Sequence, residues 1–271
     1  MSDLLIDGRR LELQATPPTA AGRPTVVFLH EGLGCAASWR TFPTTLAART
    51  GCGTVVYSRW GYGASEHRPA PWPLDFLDHE AEVVLPAVLD ACGVASAVLF
   101  GHSDGGTIAL LAAASRPGRV TAVFTEAAHV MVEDVTLDGL RQLRRRFDSG
   151  DLRAGLQRLH GDRADDVFNG WAGVWQQPAF RAWDVRARLA RVACPVLAAQ
   201  GDGDEYGSPA QLEAIASGVC GPSSTWLIPG CGHTPHRERP ADVLDRAAAF
   251  VDALASSLPA RVFFANHHAP R

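Results

Sequence analysis

Ala97-Val98-Leu99-Phe100 runs into Gly101-His102-Ser103-Asp104-Gly105-Gly106 and then into Thr107-Ile108-Ala109-Leu110-Leu111-Ala112-Ala113-Ala114. A short, wholly apolar run reads as a strand buried on both faces. The Ala/Leu-rich stretch after the glycines reads as a helix. Ser103 therefore sits on a sharp strand-to-helix turn, a nucleophile elbow. Such a turn lifts one hydroxyl above the end of a sheet and strains the backbone in doing so. The glycines have a steric reason: the outgoing helix passes so close to the strand that side chains at 101 and 105 would collide. The five-residue pattern alone recurs in unrelated chains; the flanking strand and helix give it its weight.

Working outward, the same rhythm repeats. Leu4 to Ala15 alternates around Asp7-Gly8, a two-residue hairpin signal. Thr25 to Leu29 is a second buried-strand run, followed by a predicted helix from about Trp39 to Ala48. Strand Thr54 to Tyr57, helix Leu74 to Ala91, the elbow unit and strand Val120 to Thr125 continue the series. Alternation of this kind predicts an α/β fold: a mostly parallel twisted sheet with helices on both faces. Between His129 and Arg191 the rhythm breaks, and an Arg-, Asp- and Trp-rich stretch predicts several short helices. Strand Pro195 to Ala199, helix Pro209 to Ala216, strand Thr225 to Ile228 and helix Ala241 to Leu254 then resume it. The predicted organisation is a core of 1–128 and 192–258, a helical insertion of 129–191 and a C-terminal tail of 259–271.

Composition excludes several chemistries. The chain has 271 residues, is 46% hydrophobic and 20% charged, and carries a net charge of -4. That balance is globular and argues against nucleic acid as a partner. All 25 basic residues are arginine. The absence of lysine rules out a Schiff base, a pyridoxal-phosphate anchor, a Walker-type loop and a Ser-Lys dyad. The six cysteines are scattered without paired spacing, and no apolar run approaches membrane-spanning length. With the acidic, weakly apolar start, these features predict a cytoplasmic protein that does not engage a membrane.

In such a sheet, function gathers beyond the carboxyl ends of the strands. Four loops lie there: His30-Glu31-Gly32-Leu33-Gly34, the Ser103 turn, Gly201-Asp202-Gly203-Asp204-Glu205, and Gly230-Cys231-Gly232-His233. A serine hydroxyl is almost fully protonated near neutral pH and needs a base. Histidine suits the role, and a carboxylate must orient it. The order Ser103, Asp204, His233 places each residue just past a strand. Asp202 and Glu126 are rival acids, and His236 is a rival base. Gly61-Tyr62-Gly63 lacks the third glycine of a dinucleotide fingerprint, and His30-Glu31 lacks the second histidine of a zinc helix. Cys231, His233 and His236 are too tightly placed for a metal site. No metal and no cofactor are expected.

HEGLG, SRWGYGAS, GHSDGG, GDGDEYG and GCGHTPH, in that order, give the chain a resemblance to the α/β-hydrolase superfamily along nearly its whole length. The resemblance implies a capped serine hydrolase in which Ser103 is the nucleophile, His233 the base and Asp204 the acid. It implies an oxyanion hole made by the N–H of Asp104 and that of Gly32, with Leu33 as the alternative donor. Glu31 stands where relatives often have glycine. Glu31 and Asp104 are therefore expected to point away from the reacting oxygen and to find partners, Arg59 being one candidate. His30 and His102 are expected to bond to the backbone beside the site. The insertion resembles the family's cap, and Trp171, Trp175, Phe180 and Trp183 lie in it. At least one is expected to line the pocket, with Leu33, Glu126 and His129 as further lining candidates. Arg141 to Arg146 reads as a solvated helix face. A small carboxylic ester with an apolar or aryl group is the expected substrate. A ring-cleavage diketone split at a carbon–carbon bond, and a non-turnover ligand receptor on the same fold, are the alternatives.

Overall fold

The computed structural model describes residues 2–6 and 8–257. The tail expected at 259–271 and Asp7 of the hairpin turn lie outside the described residues. Eight strands form one sheet: β1 (Ser2–Ile6), β2 (Arg9–Thr16), β3 (Thr25–Leu29), β4 (Gly53–Tyr57), β5 (Ala97–His102), β6 (Val120–Glu126), β7 (Val196–Gly201) and β8 (Ser223–Ile228). Their order is β1-β2-β4-β3-β5-β6-β7-β8. β2 is antiparallel to both its neighbours, and β3 to β8 are all parallel.

The apolar runs follow from burial on two sides. Val27 and Leu29 of β3, with Leu99 of β5, enter one core cluster; Val26, Phe28, Val98 and Phe100 enter the other. Period-two alternation sends neighbours to opposite faces, so a strand covered on both faces needs apolar residues throughout. One face is covered by α1 (Phe42–Thr50) and α11 (Pro240–Ser257). On the other lie α2 (Phe76–His79), α3 (Leu85–Ala91) and α4 (Asp104–Ser115).

Two predicted helices differ in detail. The helix expected from Trp39 starts at Phe42. Ala36–Trp39 is a 3₁₀ turn that ends at Arg40, whose φ is 51°. The helix expected from Leu74 starts at Phe76 and carries a π turn at Glu80–Val84. Pro86 accounts for the π turn, since proline lacks the N–H and its ring crowds the carbonyl of residue 82.

Between β6 and β7 the chain adds no strand to the sheet. It forms α5 (Asp134–Asp148), α6 (Asp151–His160), α7 (Ala164–Trp175) and α8 (Arg186–Leu189). Along α5, Leu140, Leu143 and Phe147 are buried, a spacing that puts them on one helix face. α9 (Ala210–Gly218) follows β7, and the short α10 (Pro235–Glu238) precedes α11.

Candidate active site

Ser103 has φ 52° and ψ −119°, a left-handed strained conformation for a residue with a side chain. Its surroundings hold it there. Its N–H donates to Glu126 O (2.8 Å), and its carbonyl accepts from the N–H groups of Gly106 and Thr107 (2.8 and 3.1 Å). The glycines are sterically required. A Cβ at Gly101 would lie 2.2 Å from Gly105 O, and one at Gly105 would lie 1.9 Å from Leu29 O. The collision expected from sequence is present, and β3 takes part in it as well as β5.

The loops after β7 and β8 bring the partners. Gly203 N–H donates to Cys231 O (2.9 Å), and a Cβ at Gly201 would meet Cys231 O at 2.1 Å, so these two loops touch through backbone. His233 Nε2 is 3.1 Å from Ser103 Oγ, and His233 Nδ1 is 2.8 Å from Asp204 Oδ1. This geometry suits a tautomer in which Nδ1–H donates to the carboxylate and Nε2 accepts from the hydroxyl. Tyr206 N–H donates to the same Asp204 oxygen (2.9 Å), and the Tyr206 ring packs edge-on against His233. Burial would raise the Asp204 carboxyl, but the hydrogen bond and charge of His233 outweigh it and hold the pKa below the ordinary carboxylate range.

The rival residues have other partners. Asp202 accepts from Gly230 N–H (2.8 Å) and closes the turn after β8. His236 and Glu126 pair with each other, Nδ1 to Oε2 at 2.6 Å; both are buried, and the His236 ring packs against Trp39. Glu126 is consequently a correction to the expected pocket lining. It is fully buried under the elbow and faces His236, away from the cavity. His30 and His102 do bond to backbone: His30 Nδ1 to Glu31 O (2.8 Å) and His102 Nε2 to His233 O (2.7 Å).

The two carboxylates near Ser103 are both engaged. Asp104 Oδ2 accepts from Trp171 Nε1 (2.9 Å) and lies 3.6 Å from the Arg59 guanidinium. Glu31 Oε2 lies 3.6 Å from His102 Nδ1. Arg59 thus meets the Asp104 side chain but reaches Glu31 at its backbone carbonyl, and His102 is the partner of the Glu31 carboxylate. Burial opposes the Glu31–His102 pair, yet their mutual attraction prevails. Glu31 is held below the usual carboxylate range, and His102 is raised above the usual imidazole value. Burial raises the pKa of Asp104, and Arg59 and the Trp171 bond work against that rise.

A cavity of about 320 Å³ opens above Ser103. Of the lining candidates read from the sequence, Leu33, His129, Trp171 and Trp175 border it, and Gly32 does so as well. Phe180 and Trp183 instead stack on each other behind Trp175. Sequence reasoning missed Leu140, Leu143, Leu152 and Tyr206 in the lining, and also Arg146 and Arg237 at its rim. Arg141, Arg145 and Arg146 are exposed, in keeping with the solvated face read from 141–146, and Arg146 also borders the cavity. His160 was also missed. Its Nδ1 accepts from Gly63 N–H (3.0 Å) and its Nε2 donates to Leu33 O (2.9 Å), so α6 clamps two loops of the sheet. A larger recess of about 750 Å³ lies at the amino ends of the strands, where Arg23, its one charged side chain among the described residues, pairs with Asp252. Among the described residues, no group of three or more His, Cys, Asp or Glu is placed to hold a metal ion, and no helix is long and apolar enough to cross a membrane.

The sheet order, the elbow after β5 and the partner loops after β7 and β8 define an α/β-hydrolase fold. The chain belongs to the alpha/beta hydrolase family, whose model matches residues 26–246. It is similar to 2-succinyl-6-hydroxy-2,4-cyclohexadiene-1-carboxylate synthase of Salmonella agona (strain SL483), at 23% identity over 85% of this chain and 95% of the relative. Among solved structures it resembles a bacterial membrane phospholipase A, with a TM-score of 0.78, 23% identity and coverage of 93% of this chain and 86% of the other. It also resembles a thermophilic esterase from Thermogutta terrifontis, with a TM-score of 0.72, 17% identity and coverage of 94% and 98%.

Proposed function

We propose that this chain is a serine hydrolase that cleaves a small carboxylic ester through an acyl-enzyme. The hydrogen-bonded line Ser103 Oγ–His233–Asp204, at 3.1 and 2.8 Å, carries the reading. Ser103 Oγ attacks the ester carbonyl carbon while His233 Nε2 takes its proton. Asp204 fixes the tautomer and stabilises the imidazolium. The tetrahedral oxyanion is held by the N–H of Asp104, at the start of α4, and by that of Gly32. Collapse breaks the C–O bond to the alcohol, which leaves with the proton from His233. Water, deprotonated by the same imidazole, then attacks the acyl carbon and restores Ser103.

Residues 129–191 act as a cap over the core of 1–128 and 192–258, and Trp171 and Trp175 shape the pocket for an apolar or aryl group. Arg146 and Arg237 at the rim have no ion-pair partner among the described residues, although Glu205 shares the rim with them. Their charge supports a substrate that carries an acidic group beside its apolar part. The similarity to a synthase named for a carboxylate accords with that preference.

The test uses short p-nitrophenyl esters. The wild type should show a burst of nitrophenolate followed by steady turnover, and Ser103→Ala should show neither. Steady turnover persisting in Ser103→Ala would sink the assignment. A burst without subsequent turnover would favour the receptor reading instead.

A further inference from the structure

Building on the serine-hydrolase reading, we propose that Arg59 is a positioning residue for the oxyanion hole, acting on the peptide group that joins Glu31 to Gly32. Arg59 is 2% exposed and sits below the two segments that supply the donors. Its Nη2–H donates to Glu31 O at 2.8 Å, and its Nη1 lies 3.6 Å from Asp104 Oδ2. A single guanidinium thereby meets the carboxylate of the residue after Ser103 and the carbonyl of the opposite loop.

The Glu31 carbonyl is held by more than Arg59. It also meets His30 Nδ1 at 2.8 Å and accepts from Gly34 N–H at 3.2 Å. His30 is set for that donation, because its Nε2 accepts from Arg59 N–H at 3.1 Å and so Nδ1 carries the proton. Burial, with the Arg59 charge second, lowers the His30 pKa and keeps the ring neutral, as this pattern requires. Glu31 C=O and Gly32 N–H belong to the same planar trans unit and point in opposite directions. Fixing the oxygen on Arg59, His30 and Gly34 aims the Gly32 N–H away from them. Gly32 lines the cavity, and its N–H has no acceptor among the described residues. A charge-assisted bond at the oxygen also polarises the unit and strengthens its N–H as a donor.

The adjoining unit, Gly32 C=O with Leu33 N–H, has no such anchor among the described residues. The network therefore selects Gly32 over Leu33 as the second donor. Arg59 also answers the electrostatic problem of Asp104. A buried carboxylate one residue from the nucleophile would repel a developing oxyanion, and the guanidinium opposes that charge.

Two variants and one measurement on the wild-type chain test this. Arg59→Met should lower kcat on p-nitrophenyl esters by about 10²-fold, the scale of losing one oxyanion donor, with KM changed by less than threefold. Arg59→Lys retains the charge but not the fork and should recover part of that loss. Affinity for phenylboronic acid, whose tetrahedral adduct mimics the oxyanion, should fall in parallel with kcat. If Arg59→Met does not fold, ¹⁵N-labelled wild-type protein decides: boronate should move the Gly32 and Asp104 amide resonances downfield and leave Leu33 in place. Folded Arg59 variants with kcat within twofold of wild type, or a Leu33 amide that moves in place of Gly32, would overturn the role of Arg59. Turnover surviving in Ser103→Ala would instead refute the hydrolase reading on which it rests.

Discussion

Gly32 and Trp171 should behave as one energetic unit. A Cβ added at Gly32 would lie 2.2 Å from Trp171 Nε1, 2.3 Å from Cε2 and 2.7 Å from Cζ2. Comfortable carbon contacts need about 3.5–4.0 Å, so the indole must retreat by more than an ångström. It is not free to do so, because its Nε1–H donates to the buried Asp104 carboxylate at 2.9 Å. Gly32→Ala then carries an overpacking cost of about 1–3 kcal/mol and the loss of a hydrogen bond to a charged group, about 1.5–3 kcal/mol. The sum is about 2.5–6 kcal/mol. Trp171→Ala alone should cost about 3–5 kcal/mol, the usual range for emptying a buried tryptophan site. In that background the clash is gone. Gly32 does not occupy left-handed backbone, so alanine there should be neutral or stabilise by about 0.4–1 kcal/mol through the unfolded chain. Urea unfolding of the wild type, both single variants and the double variant closes the cycle. Gly32→Ala should change sign between the two backgrounds. If it costs more than about 2 kcal/mol without Trp171, the indole is not what demands glycine at this position.

Further outcomes follow from the same geometry. On the proposed triad, Asp204→Asn should reduce kcat by about 10⁴-fold with KM little changed, the scale seen when a Ser-His-Asp triad loses its tautomer-fixing acid; a loss below tenfold would mean another carboxylate orients His233. The Glu31–His102 pair gives a signed pH dependence. His102 is raised from 6.5, so its contribution is complete below that value and is lost as pH rises through the folded pKa. Glu31 is lowered from 4.5, so its contribution is complete above that value and is lost as pH falls through the folded pKa. The stability difference between wild type and Glu31→Gln should therefore be greatest between those two values and shrink on the alkaline side; a difference that grows above pH 8 would contradict the pairing. Replacing Arg146 and Arg237 together by Ala should raise KM for an ester bearing a carboxylate by about tenfold, in a salt-dependent way, and leave neutral esters unchanged. Equal effects on both ester types would remove the charge argument.

Much of the fold is legible along the chain because its causes are local or periodic. A strand covered on two faces must be apolar throughout, and Val26 to Leu29 and Val98 to Phe100 are. The elbow announces itself because side chains at 101 and 105, four residues apart, would collide with nearby backbone, so both positions are glycine. Helix limits were less legible, since Pro86 is absorbed by a π turn and Arg40 ends a turn that composition alone would continue.

The candidate catalytic residues, and their order past successive strands, are properties of the sequence by itself. Their pairing is not. Asp202 and Asp204 stand two residues apart in one loop, and only the contact between the β7 and β8 loops sends one to Gly230 and the other to His233. Glu126 looked like a rival acid and His236 a rival base, and instead the two pair with each other across 110 residues. Trp171 reaches Asp104 across 67 residues, and His160 reaches Gly63 and Leu33 across 97 and 127. Burial favours such partnerships, because an unpaired polar group in the interior is costly. Which partner satisfies which group depends on rotamers and helix placement, and only the packed tertiary structure sets those.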